Sequence, residues 1–194
     1  MKSPTRRDLQ AEIRRSQLLD IALTLFAERG VENVSMKDLA TEANVAQGLL
    51  YHYFQSKDEL LSAVFQRHNP LPLFREILEA IDALPAREGL VEFAHRVARV
   101  LPEQRLILRL LARELLSPRS YLLAQALPER QETVVLLEQY LQRRIESGEL
   151  RPHQPHATVH LLVSGLLVLV LLERPIEPMI SSLLEVLFEG IQSR

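Results

Sequence analysis

Between Leu18 and Leu61 helix starts and stops follow one another so closely that few folds can accommodate the chain. Leu18, Ile21, Ala22, Leu25 and Phe26 fall at i, i+3, i+4, i+7 and i+8, one apolar stripe along a helix that Gly30 ends. Ser35-Met36-Lys37-Asp38 has the Ser-x-x-acid form, in which hydroxyl and carboxylate satisfy the first free amides of a helix, and it opens a short helix through about Ala43. Asn44 stands at a sharp turn, as a residue that accepts the left-handed conformation, and Val45 is the apolar plug of that turn. The next helix runs from about Gln47 to Tyr53. Ser56-Lys57-Asp58-Glu59 reads as a full capping box for a fourth helix that carries Leu60, Leu61, Val64 and Phe65 inward.

The third of these helices has two unlike faces. Val45, Leu50 and Phe54 point to a core, which leaves Gln47, Gly48, Leu49, Tyr51, His52 and Tyr53 outward or at the edges. A short helix of that kind fits a DNA major groove about 12 Å wide while its neighbour crosses the backbone. Gln47 suits adenine N6 and N7, Leu49 a thymine methyl, and Gly48 lets the backbone come close. The hydroxyl and imidazole tips of Tyr51, His52 and Tyr53 suit phosphate oxygens, which position a protein without reading sequence. Ser35 with Met36, and Lys57, occupy helix starts, where free amides favour phosphate.

Charge argues the other way and has to be met. The chain carries a net charge of −2, and residues 1–60 hold eight Lys/Arg against nine Asp/Glu. Phosphate contacts are local, however, so only the facing surface needs to be positive. Lys2, Arg6, Arg7, Arg14, Arg15, Lys37 and Lys57 can supply it.

The stretches LLDIALTLFAERG and VSMKDLATEANVAQGLLYHYFQSKDELL resemble the TetR-type repressors, most specifically across Leu50-Tyr51-His52-Tyr53-Phe54-Gln55-Ser56-Lys57. The resemblance implies that Gln47, Tyr51, His52, Tyr53 and Lys57 take the family's DNA-contact positions, with Ser35 on phosphate. Two residues depart from the pattern: Asn44 replaces the usual turn glycine, and Ala46 replaces the Ser or Thr that caps the reading helix. Ile145-Glu146-Ser147-Gly148-Glu149-Leu150-Arg151-Pro152 is similar to the family's approach to its last two helices, which form the dimer interface. The resemblance implies a ligand cavity lined from the fourth to the eighth helices, between the head and that interface.

Past the head, Asn69-Pro70-Leu71-Pro72 should break the fourth helix. The division expected is a flexible basic arm over 1–9, a helix-turn-helix domain over 10–61, and a helical regulatory and dimerisation body over 62–194. Amphipathic segments fall at about 73–83, 88–100, 103–116, 119–126 and 129–147, punctuated by Pro85, Pro102, Pro118 and Pro128, with Pro118 fitting the first position of a new helix. Two further helices fall at about 156–173 and 177–191. The first is apolar nearly all round, and the second carries one stripe, so together they invite a four-helix bundle across a two-fold axis. Leu162, Leu166, Leu169, Leu183, Leu184, Leu187 and Phe188 are the expected interface. Phe93 and His95 read first as core, and Arg96 and Arg109, with Arg99, Arg105 and Arg113, as a solvated face beside Glu103 and Glu114. With Phe74, four of them (Phe93, His95, Arg96 and Arg109) are also the candidate lining of a ligand pocket.

Other chemistries find little support. The chain has no cysteine, which removes disulfides and Cys-based zinc sites. His153, His156 and His160 read as a helix-start cluster rather than a metal site, and no cofactor is expected. Leu161–Leu172 is apolar but shorter than the roughly 20 residues of a membrane helix, and the N-terminus lacks the apolar core of a secretory signal, so a cytoplasmic protein without membrane contact is expected. No phosphate-binding loop, nucleophile elbow or His-Glu-x-x-His pattern appears, so the chain does not read as an enzyme. The expectation is an all-α protein with an N-terminal three-helix helix-turn-helix DNA-binding domain and a larger helical ligand-binding and dimerisation domain. It would act as a homodimeric repressor, binding a near-palindromic double-stranded operator and released by a largely apolar small molecule. The alternative is a helical lipid-carrier or interaction protein with no DNA-dependent role.

Overall fold

The computed structural model describes residues 5–69, 71–115, 123–174 and 176–191. Among them run ten α-helices: α1 (Arg6–Arg29), α2 (Met36–Glu42), α3 (Gln47–Tyr53), α4 (Lys57–Arg67), α5 (Leu71–Ile81), α6 (Ala86–Val100), α7 (Arg105–Leu115), α8 (Leu123–Glu146), α9 (Pro155–Leu171) and α10 (Ile176–Ile191). A 3-10 turn at Val31–Asn33 joins α1 to α2. The helices form two compact units, residues 1–69 with 106–125 and residues 70–105 with 126–194.

In the first unit, the second half of α1 is the central strut. Leu18, Leu19, Ala22, Leu23, Leu25, Phe26 and Ala27 are buried along it, against Leu39 and Ala40 of α2, Leu50 of α3, Phe54, and Leu60, Leu61 and Val64 of α4. Each of the Leu, Phe and Val side chains taken fully out of water contributes about 1.5–3 kcal/mol. At its far end α4 is tied to α1 by Arg67, which bonds Asp20 and Ser16, both at 3.1 Å.

Three expectations change here. The first helix begins at Arg6, inside the stretch read as a flexible arm. Thr5 and Asp8 form a reciprocal capping box, and the first turns are exposed, so no apolar stripe announces them. At α4 the capping box is only half formed. Ser56 Oγ accepts the Glu59 N–H at 3.1 Å, but the Glu59 carboxylate reaches one residue further back, to the Gln55 N–H at 2.7 Å. The third change concerns the domain division: Ile107 and Leu110 of α7 are buried in the same core as α1, with Leu106, Leu108 and Leu111 packed against it. The head is therefore completed by a helix from the part of the sequence assigned to the body.

In the second unit α6 packs against α5 and α10, and α9 against α10. Leu90, Phe93 and Val97 of α6 are buried in this unit, as are Leu137, Tyr140 and Leu141 of α8, Leu162 and Leu166 of α9, and Ile180, Leu184 and Phe188 of α10. Gly89 is required by the neighbouring ring, because a Cβ there would lie 2.1 Å from the Tyr140 hydroxyl. Glu149 caps the start of α6 by accepting the Ala86 N–H at 2.6 Å and pairs with Arg144 at 3.0 Å. The Ala86 amide, followed by Arg144 and Ser147, holds its carboxyl below the usual range.

Pro128 does not divide two helices as expected but lies inside α8. It removes the donor for the Ala124 carbonyl, yet Leu123-Ala124-Gln125-Ala126-Leu127 before it and Glu129-Arg130-Gln131 after it are good helix formers that sustain the helix on both sides. The helix start expected at Ser117-Pro118 falls in 116–122, outside the described residues.

Candidate nucleic-acid interface

The α2–α3 pair is fixed by local chemistry at each joint. Ser35 Oγ accepts the Asp38 N–H at 3.1 Å, while the Asp38 carboxylate accepts the Ser35 N–H at 2.8 Å and its hydroxyl at 2.6 Å. These bonds from Ser35, side chain before backbone, hold the Asp38 carboxyl below its ordinary range. At the other end of α2, Asn44 takes φ 52. The Val45 N–H returns to Ala40 O at 3.0 Å and the Asn44 N–H to Thr41 O at 3.1 Å, the paired bonds of a Schellman turn. Val45 packs on the core beside them, so α2 and α3 are clamped as one piece.

α3 starts from Ala46 in an extended conformation with no side-chain cap. Leu50 and Phe54 anchor it in the core, and Arg15 lies over the Phe54 ring, 5.2 Å from its centroid. Gln47, Gly48, Leu49, Tyr51 and His52 are exposed. A Cβ at Gly48 would meet nothing within 4 Å, so this part of the face is open. Tyr53 is half-buried against the core, edge-on to His52 with ring centroids 5.6 Å apart. Lys37 is exposed on α2.

Two candidate contacts are placed otherwise. Met36 is only 7% exposed and its side chain belongs to the core. Lys57 is half-buried, and its ammonium donates to Val31 O at 3.0 Å and Val34 O at 3.3 Å. Two of its three N–H donors are thus used inside the head, where Val31 O also accepts the Val34 N–H at 3.3 Å.

The candidate pocket residues belong to both units. Phe93 is buried in the core of the second unit, Arg96 bonds Glu92 on the preceding turn at 2.6 Å, and Phe74 and His95 are half-buried. Arg109 is on α7 in the first unit. The expected interface residues divide by face. Leu162, Leu166, Leu169, Leu184 and Phe188 are buried within the chain, because α9 and α10 use these positions to pack in their own unit, while Leu183 and Leu187 are half-buried. The apolar residues left outward are Leu161 (67% exposed), Val168, Leu172, Met179 and Val186 (71%). A groove of about 570 Å³ is lined by Leu161, Val168 and Met179 together with Gly165, Leu183 and His160. His156 is held by Glu138, Nδ1 to Oε1 at 2.6 Å, and no group of three metal-ligating side chains occurs among the described residues.

The profile of the bacterial regulatory proteins of the tetR family matches residues 18–64, the stretch that builds α2, α3 and their supports. Residues 18–64 are thus those of a TetR-type head. The chain is 38% identical over 81 residues to the HTH-type transcriptional repressor KstR2 of Rhodococcus jostii, an alignment that covers 40% of each chain. The aligned stretch therefore spans less than half the length of that relative. Two solved TetR-like folds extend over nearly the whole chain. FadR of Bacillus subtilis in complex with stearoyl-CoA has a TM-score of 0.73 at 21% identity, covering 91% of this chain and 99% of the other. AibR in complex with isovaleryl coenzyme A and operator DNA has a TM-score of 0.71 at 21% identity, covering 89% and 97%. At these identities the likeness shows the fold, that of a TetR-type head joined to a helical body.

Residues of α7 that serve the head were missed by sequence reasoning. Arg113 Nη1 donates to Glu28 O at 2.7 Å, and Glu114, read as part of a solvated face, is 8% exposed. The heptad-like run Leu106, Leu110 and Arg113-Glu114 shows an amphipathic helix but not which core it joins.

Proposed function

We propose that the chain is a homodimeric transcriptional repressor that binds a near-palindromic operator through α3 and leaves it when a largely apolar small molecule binds. One observation carries the DNA reading: α3 buries Leu50 and anchors on Phe54 while Gln47, Gly48, Leu49, Tyr51 and His52 remain exposed on a helix clamped to α2. Gln47 reads adenine, Leu49 packs on a thymine methyl, and Lys37, Tyr51 and His52 grip phosphates. The outward strip of α9 and α10 receives a second copy, which sets two reading helices about 34–36 Å apart, one helical turn of DNA. The acyl thioesters held by FadR and AibR make long- and short-chain acyl-CoA the first effectors to test. An effector acts here only by binding one conformation better than the other. A regulator of this kind works in the cytoplasm, where the DNA is, and performs no catalysis. Among the described residues no helix is long and apolar enough to cross a membrane.

The test is retardation of DNA from around the chain's own coding region by the full-length protein at low salt. Retardation is expected, and Gln47→Ala should cost about 1–3 kcal/mol at one base pair while leaving binding to random duplex unchanged. A stable monomer that retards no DNA and co-purifies with an acyl compound would instead support the carrier reading.

A further inference from the structure

Outside the reading helices, one cluster of charged groups does work that the helix-turn-helix itself cannot. α1 ends at Gly30 in a conformation, φ 84 and ψ 148, that is essentially confined to glycine, and the chain then passes through Val31–Asn33 to Ser35 and α2. This connection contains the last carbonyls of a helix and the carbonyls of a single 3-10 turn, of which Gly30 O and Val31 O accept the N–H groups of Asn33 and Val34. Their other partners come from two directions. From α7, Arg113 Nη1 donates to Glu28 O at 2.7 Å and lies 3.5 Å from Ala27 O. Its Nε would be 3.1 Å from a Cβ at Gly30, so the bare glycine also makes room for the guanidinium. The next residue, Glu114, is buried; burial first and then the charge of Glu32 raise its carboxyl above the usual range, while the Val31 amide, Arg113 and Lys57 act to lower it. From α4, Lys57 holds the carbonyls of Val31 and Val34. Within the connection, Asn33 Nδ2 donates to Arg29 O at 2.9 Å.

The cationic side of this arrangement suits a helix C-terminus, where the dipole favours positive charge. The carboxylate of Glu114 is less expected, since burial opposes its ionisation. Two adjacent residues of opposite charge thus meet the same backbone segment, Arg113 through its bonds to carbonyls and Glu114 buried beside it. The segment leads directly into α2, and α2 is clamped to α3, so what holds the connection also sets the direction in which the reading helix is presented.

We propose that Arg113 and Glu114 of α7 are positioning residues for DNA binding, which hold the α1–α2 connection and through it the α2–α3 pair, although they lie far outside the helix-turn-helix in sequence. The inference rests on the reading of α3 as the DNA-binding helix. They touch no DNA themselves; removing them loosens the presentation of groups that do.

The experiment uses full-length protein and the duplex that the wild type enriches from a random-sequence pool. Arg113→Gln and Glu114→Ala are compared with Arg113→Lys and Glu114→Gln, which keep the charge or the acceptor oxygen. Amide hydrogen exchange of the free protein across residues 30–45 and the dissociation constant are read for each variant. For Arg113→Gln and Glu114→Ala, faster exchange confined to this span and binding weakened by about three- to thirty-fold are expected, with the conservative variants recovering most of both. Changed exchange with a wild-type dissociation constant, or unchanged exchange, overturns the inference. So does failure of the conservative variants to recover, or exchange raised throughout the head, since either would mean a general loss of stability. Failure of the wild type to enrich any duplex overturns the DNA reading itself, and this proposal with it.

Discussion

Lys57 illustrates how a residue type in the right place can be committed elsewhere. Its position at the start of α4 and the resemblance to TetR-type repressors both make it a phosphate ligand, whereas its ammonium is turned to Val31 O and Val34 O. A charged donor on two backbone carbonyls contributes about 1.5–3 kcal/mol, and its removal takes a partner from Val34 O and leaves Val31 O with the Val34 N–H alone. Lys57→Ala is therefore expected to lower the denaturation midpoint of the protein. It should leave the dependence of DNA affinity on salt unchanged, because no counterion-releasing contact is lost. A fall in that slope by about one would return Lys57 to the phosphate backbone. Met36 makes the same point in the apolar sense, since its side chain fills the head core.

At the scale of elements, what was legible in the sequence is what local chemistry determines. The Ser35 cap, the left-handed Asn44 and the bounds of α3 all depend on residues within about four positions of one another, and each stands as its residue types predict. The membership of α7 in the head was not legible, because a helix stripe such as Ile107 and Leu110 specifies that a face is buried and not against what. The outward face of α9 was illegible for a related reason: a helix apolar on all sides carries no periodic signal to separate the face it buries from the face it leaves open. Neither motif nor period marks a cavity lining, so candidate pocket residues had no comparable signal. The uncapped start of α3 gives a direct test at this scale. Ala46 has the extended backbone of an N-cap residue but no hydroxyl, so Ala46→Ser is expected to stabilise the protein by about 1 kcal/mol. Chemical denaturation of the two proteins measures this, and an unchanged midpoint would show that the start of α3 is already satisfied by another route.

For the whole molecule, the charge and size of the head decide how function is to be achieved. Eight Lys/Arg against nine Asp/Glu in residues 1–60, with one seven-residue reading helix, make a weak DNA ligand of a single copy. Two heads joined in one particle bind the second half-site as an intramolecular event, which raises affinity by about 10²–10⁴ without any new contact. The joining surface proposed is the strip Leu161, Val168, Leu172, Met179 and Val186, five outward apolar side chains on the last two helices, not the buried positions Leu162, Leu166 and Leu184. Apolar groups of that number on one surface are uncommon unless something covers them. Val168→Asp places a carboxylate in the middle of the strip and touches no buried position, so the fold should persist, as far-ultraviolet circular dichroism would record. Sedimentation should then give the mass of one chain, and operator affinity should fall by about 10²-fold or more, while binding to an isolated half-site is unchanged. A variant that remains dimeric would move the interface off this face, and a monomer that still binds the full operator tightly would remove dimerisation from the mechanism.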